Sequence, residues 1–168
     1  PQYKVLPRIL NKICSFYVAL FRGTPIVVQL LVFYYVLLPL MGSRMTGIQV
    51  AVMVFGLNSA AYISEIMRGG IMSVDSGQME AGRAVGLSFG TTMLKIVIPQ
   101  AVKNILPTMG NELIALIKDT SVVSFVGATD LYVAFSFIGS SNYEFMVPYL
   151  VMALIYIVLV LIISFAIK

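Results

Sequence analysis

The sequence predicts an all-α membrane protein in one domain, and three observations carry that reading. Of the 168 residues, 60% are hydrophobic and 11% charged, against about 25% charged in an ordinary soluble domain; mean hydropathy is +0.97. Three uncharged runs are each long enough to cross a bilayer core, which needs about 20 helical residues for its thickness of about 30 Å. Lys and Arg gather in alternate connections between the apolar runs, the bias that fixes orientation in membranes. The same composition excludes several classes. The net charge of +4 comes from eleven bases and seven acids without a basic stripe interleaved with aromatics, so no nucleic-acid partner is expected. With no His and one Cys, Cys14, the chain has no means to build a Cys/His zinc site, a histidine-based nucleophile relay or an internal disulfide.

Taken in order, the chain starts Pro1-Gln2-Tyr3-Lys4, with neither a starting Met nor the order of a signal peptide, so a fragment with a membrane helix missing upstream is expected. The first segment carries Lys4, Arg8, Lys12 and Arg22 and reads as cytoplasmic. Residues 23–41, 45–64 and 145–167 are the three uncharged runs, with no polar face at helical period, which disfavours a soluble core. Residues 97–117 form a fourth apolar stretch, interrupted by Pro99, Lys103, Pro107 and Glu112, and read as a broken or shortened helix. Residues 122–142, with Gly127, Gly139 and a Ser-Ser-Asn cluster, read as a partly inserted loop and a short interfacial helix. The bases then give an alternation: in at Arg22, out at Arg44, in at Arg68, out at Asp119, in at Lys168. The central polar segment, residues 65–104 with Arg68, Arg83, Lys95 and Lys103, and the C-terminus both fall on the cytoplasmic side.

The central polar stretch, residues 75–99, is too structured to serve only as a connection. Asp75 is placed to cap a helix, with Gln78 reaching back in capping-box fashion. Ala81 and Ala84 favour the helix and Gly86 supplies the left-handed residue that ends it. Ser88 caps a second short helix that Pro99 is expected to terminate. Glu80 and Arg83 are three apart and share an exposed face, while Ala81, Gly82 and Ala84 leave room for another surface. From the residues alone two readings stand, a solvated connecting helix with an ordinary charge pair and a docking element.

The spacing favours the second. Glu80-Ala81-Gly82, three residues, Gly86, nine residues, Ile96, one residue and Ile98-Pro99 resembles the EAA signature of the membrane subunits of binding-protein-dependent ABC importers. Gly82 stands where a second Ala is usual, expected to loosen the helix by up to about 1 kcal/mol, and Ile98 where Leu is usual. Phe21-Arg22-Gly23-Thr24-Pro25 with Gln29, Asn58-Ser59-Ala60-Ala61-Tyr62 followed by Glu65, Arg68, Gly69 and Gly70, and Lys118-Asp119-Thr120-Ser121 are similar, in the same order, to segments of the polar amino-acid branch of that family. The resemblance implies the type I ABC importer permease fold, with about four to five membrane helices per subunit and a cytoplasmic coupling helix. It implies that Glu80, Ala81, Gly82, Arg83, Gly86 and Pro99 face a groove on a separate ATPase subunit. It also implies the remaining partners: an extracytoplasmic amino-acid-binding protein, and a second permease copy or a homologous permease in the bacterial cytoplasmic membrane. The chain has no GxxxxGK[ST] phosphate loop, so ATP and Mg are expected on the partner and no cofactor on this chain.

Charges inside a bilayer cost a few kcal/mol or more unless they face protein or a cavity. Glu112, Lys118 and Asp119, with Thr120 and Ser121, are therefore candidates for a substrate pathway, against pairing of Lys118 with Asp119 at a helix end. Asn58 and Ser59 join them as candidates, with hydrogen bonding between helices as the other role. Glu65 and Arg68, three apart, form a local pair or part of a gate, the pair being preferred.

Overall fold

A computed structural model describes the backbone of residues 5–167 and the side chains of residues 8–167. Lys4 and Lys168, used above for orientation, lie outside the described residues. Those described fold into helices joined by short turns, with no strand among them: α1 (Val5–Gly23), α2 (Ile26–Leu40), α3 (Gly47–Met72), α4 (Ser76–Ala84), α5 (Phe89–Val126), α6 (Leu131–Asn142) and α7 (Met146–Ile167). By length and composition α3 and α7 can each cross a membrane alone. The other candidates are bent pairs, α1 with α2 at 107° and α5 with α6 at 57°, which gives up to four spans and agrees with the expected number.

Three expectations about these elements are corrected. Pro99 does not terminate a helix. It stands in the first turn of the α-helical part of α5, Ile98–Asp119, directly after a π-helical turn at Met93–Val97. A proline lacks a backbone donor and crowds the carbonyl one turn back, and the wider π turn makes room for both effects. The stretch 97–117 is accordingly not broken, because α5 continues through Pro107 to a 3₁₀ turn at Thr120–Val126. The run expected at 45–64 is longer, since α3 carries on to Met72 and takes Glu65 and Arg68 on its last turns. A further helix was not anticipated at all: the basic first segment is α1, 19 residues long.

Local chemistry accounts for the helix ends. Thr46 opens α3 with a reciprocal capping box, its Oγ1 accepting from Gln49 N–H while Gln49 Oε1 accepts from Thr46 N–H at 2.9 Å. Asp130 Oδ1 accepts from Val133 N–H at 2.8 Å at the start of α6, and the Glu144 carboxylate accepts from Val147 N–H at 3.0 Å at the start of α7. The core joins α2, α3 and the far end of α5: Leu30, Leu38, Val50, Ala51, Val54, Phe55 and Val126 are buried together. Gly47 and Gly70 are packing glycines, since a Cβ on the first would overlap the Val126 carbonyl and on the second the Ile105 side chain. α5 thus lies tight against α3 near both of its ends.

Candidate functional site: a surface elbow and a polar junction

The elbow is built from α4 and the first turns of α5. Asp75 Oδ1 accepts from Gly77 N–H at 2.6 Å and starts α4, and Gly86, at φ +87°, turns the chain where a side chain would be strained. Ser88 Oγ then accepts from Thr91 N–H at 3.1 Å and starts α5. These three positions behave as expected. Gln78 does not, because its Oε1 accepts from Gln100 Nε2 at 3.2 Å rather than from the cap of α4. That bond, with Asn104 Nδ2 donating to Ser73 Oγ at 2.9 Å, ties the elbow to the body of α3 and α5.

Gly82 is buried, and its face points inward rather than toward a foreign surface. A Cβ added there would overlap Thr92 Cγ2 and stand 2.9 Å from Thr92 Oγ1. Thr92 is fully buried and donates to Ser88 O at 3.0 Å, so it cannot step aside. The glycine is what lets the two arms of the elbow meet. Glu80, Ala81, Arg83 and Ala84 are exposed, as are Gly86 and Pro99. Arg83 donates to Leu87 O at 3.1 Å instead of pairing with Glu80, whose carboxylate has no ion-pair partner among the described residues. On the same elbow Val85, Phe89 and Leu94 are 76%, 59% and 66% exposed. The elbow therefore presents both an unpaired acid and exposed apolar side chains.

The second constellation lies where α1, α2 and α3 meet. Gln29, buried at the start of α2, donates from Nε2 to Phe21 O at 2.8 Å and to Thr24 O at 3.0 Å, and its Oε1 accepts from Asn58 Nδ2 at 3.1 Å. Asn58 Nδ2 also reaches Phe21 O at 3.2 Å, and Tyr17 donates its hydroxyl proton to Leu57 O. Asn58 thus spends its amide on fastening three helices. Further along α3, Arg22 meets Glu65 at 3.3 Å and lies 5.4 Å over the Tyr62 ring, while Arg68 binds Glu65 at 2.7 Å. The Glu65–Arg68 pair exists, and Arg22 is the member that sequence reasoning missed. Its signal was present, since Glu65 is the one acid on α3 and Arg22 ends the neighbouring basic segment.

The remaining candidates do not gather in one chamber. Lys118 and Ser121 line a cleft of about 470 Å³ with Tyr156, Ile157, Val160 and Leu161 of α7. Thr120 opens on a different cleft, of about 260 Å³, among Ile48, Ala51, Phe55, Leu116 and Val123. Lys118 and Asp119 are exposed, and no ion pair joins them. Glu112 is half-buried on α5, and Ser59 Oγ is shielded without a hydrogen-bond partner among the described residues.

Helices without a strand among the described residues, two of them of bilayer length and up to four spans in all, with a capped elbow and clefts along the helices, fit a membrane transport subunit. The chain belongs to the family of binding-protein-dependent transport system inner membrane components, which it matches over residues 4–168; it is an ABC importer permease, a multi-pass protein of the inner membrane. It is 43% identical over 153 residues to the arginine transport system permease protein ArtQ of Bacillus subtilis (strain 168), covering 91% of this chain and 70% of that protein. It is 40% identical over 158 residues to a putative glutamine transport system permease protein of Rickettsia bellii, covering 94% and 72%. Among solved structures it resembles an amino acid ABC transporter crystallised with histidines, at a TM-score of 0.89 and 39% identity over 95% of this chain and 74% of that one. The inward-facing MetNI methionine ABC transporter shares the fold at a TM-score of 0.74 and 20% identity, over 99% and 74%.

Proposed function

We propose that this permease moves a polar amino acid inward across the bacterial cytoplasmic membrane, driven by ATP hydrolysis on a separate subunit that docks on the elbow. The single observation that carries the coupling role is what the elbow leaves exposed: Glu80, without an ion-pair partner among the described residues, and the apolar side chains of Val85, Phe89 and Leu94. Exposed apolar side chains on an element that also carries an unpaired charge fit a protein partner better than water. Ala81, Arg83, Gly86 and Pro99 are exposed on the same elbow, and Gly82 shapes it from within. In this reading ATP and Mg sit on the ATPase subunits, a second permease copy or a homologue completes the pore, and an extracytoplasmic binding protein delivers the substrate. The elbow and the C-terminus face the cytoplasm.

The route for force is the helix that the elbow opens. The α-helical part of α5 has 22 residues, about 33 Å of length, and begins directly behind the elbow's π turn. Closure of the ATPases on the elbow shifts α5 and, through Asn104–Ser73 and the Gly70–Ile105 contact, α3 with it. This selects between inward and outward openings, a two-state change driven by differential contacts. Glu112, Lys118, Asp119, Thr120 and Ser121 on α5 are the proposed pathway groups, with Ser59 on α3. Asn58, Glu65 and Arg68 hold helices together in the form described. The printed substrates of the relatives, arginine and glutamine, support a polar amino acid.

Two measurements test this. With its ATPase subunit and binding protein co-expressed, Glu80→Lys is expected to lower coupled uptake at least tenfold while the melting temperature of the permease holds; intact uptake removes the docking role. Radiolabelled uptake competed by each of the twenty amino acids identifies the substrate. The acids Glu112 and Asp119 lean toward a cationic one, with Lys118 beside them opposing it, and failure of Arg, Lys and His to compete removes the cationic reading.

A further inference from the structure

α1 has a surface that neither the transport reading nor the packing of the chain uses. Its inner face is taken up by the polar junction, with Tyr17 bonded to Leu57 O and Phe21 buried. One further face carries Ile9, Ile13, Phe16 and Leu20, spaced four, three and four apart so that they form one stripe along the helix. All four are exposed, Phe16 at 70% and Ile13 at 59%. The third face carries Arg8 and Lys12 with Asn11 and Ser15, all exposed. Neither base has a carboxylate partner among the described residues, and α1 contains no acid at all. The helix axis lies at 107° to α2, so if α2 stands across the bilayer, α1 lies nearly in its plane.

We infer that α1 is an interfacial helix seated on anionic phospholipid, with Ile9, Ile13, Phe16 and Leu20 entering the acyl boundary and Arg8 and Lys12 bound to the headgroup phosphates. Charge complementarity selects this occupant. A helix with an apolar stripe, a polar face whose charges are all basic and an axis along the membrane surface has the form of an in-plane anchor. Each base near an anionic leaflet contributes about 1 kcal/mol, a factor of about five in local lipid enrichment. Through Gln29, Asn58 and Arg22 the same helix is bolted to α2 and α3, so its seat fixes how deep the elbow hangs below the membrane.

The test uses the assembled transporter in nanodiscs. The chain's one cysteine, exposed on α1, is replaced as Cys14→Ser, and Phe16→Cys is labelled with a fluorophore. Brominated phosphatidylglycerol and brominated phosphatidylcholine are then compared as quenchers at equal mole fraction. Both are expected to quench, with phosphatidylglycerol several-fold stronger; Arg8→Gln with Lys12→Gln is expected to remove the difference, and Lys12→Arg to preserve it. Equal quenching by the two lipids in the parent overturns the anionic seat. Quenching by neither overturns the lipid contact altogether and assigns the stripe to another polypeptide. Because the readout is optical, it stands apart from uptake, and a failed Glu80→Lys experiment leaves it intact.

Discussion

The junction of α1, α2 and α3 and the elbow of α4 and α5 are made of similar residues put to opposite ends. In the junction the amides of Gln29 and Asn58 are answered inside the chain, and even the outer charges Arg22, Glu65 and Arg68 find one another. In the elbow the backbone ends are satisfied by Asp75, Ser88 and Thr92, yet Glu80 is left unmatched and Val85, Phe89 and Leu94 are left in the open. A region whose polar groups are saturated holds a shape, whereas one whose backbone is saturated and whose side chains are not holds a shape for something else.

Four substitutions break or sharpen that contrast, read as thermal unfolding of the purified complex. The largest expected loss is Asn58→Leu, which strips Gln29 Oε1 of its donor inside the protein and destabilises by about 2–3 kcal/mol; an unchanged melting temperature means the junction is not the fastening described. Next comes Gly82→Ala. Helix propensity alone would make it stabilising, but the Thr92 contact makes it costly by about 1–2 kcal/mol, and Thr92→Ala in the same chain is expected to restore part of the loss. Gly86→Ala forces a side chain into the left-handed region and costs about 1 kcal/mol, with coupled uptake falling because the arms of the elbow are re-aimed. The smallest is Arg22→Gln, whose exposed ion pairs are screened by salt; a small shift in melting temperature at low ionic strength should vanish at high salt.

How much of this could be read beforehand divides along local and non-local lines. Asp75, Gly86 and Ser88 were legible because a cap or a left-handed corner is decided by a few adjacent residues. The continuity of α5 was not, since Pro99 reads as a stop signal unless the π turn ahead of it is known. α1 was hidden because four bases in a short segment read as a charged connection, although the stripe of Ile9, Ile13, Phe16 and Leu20 ran through it. Gly82 was legible as a small residue but not in its role. The usual Ala of the motif and the Thr92 that forbids it here are ten residues apart in sequence, and only the fold places them in contact. The partners of Asn58 and Glu65 lay on other helices, which no spacing rule within α3 reaches.

Gly47 gives α5 a fulcrum. With no side chain there, α3 rests directly on the Val126 carbonyl at the far end of α5, while the first turns of α5 belong to the elbow. If the ATPase docks on the elbow as proposed, a rod pinned at one end and struck at the other swings rather than slides, so displacement would be greatest beside Pro99 and would fade toward Lys118. Residues near the pin would then feel a change of tilt more than a change of position, and a bulkier residue at 47 would free the pivot and waste the stroke.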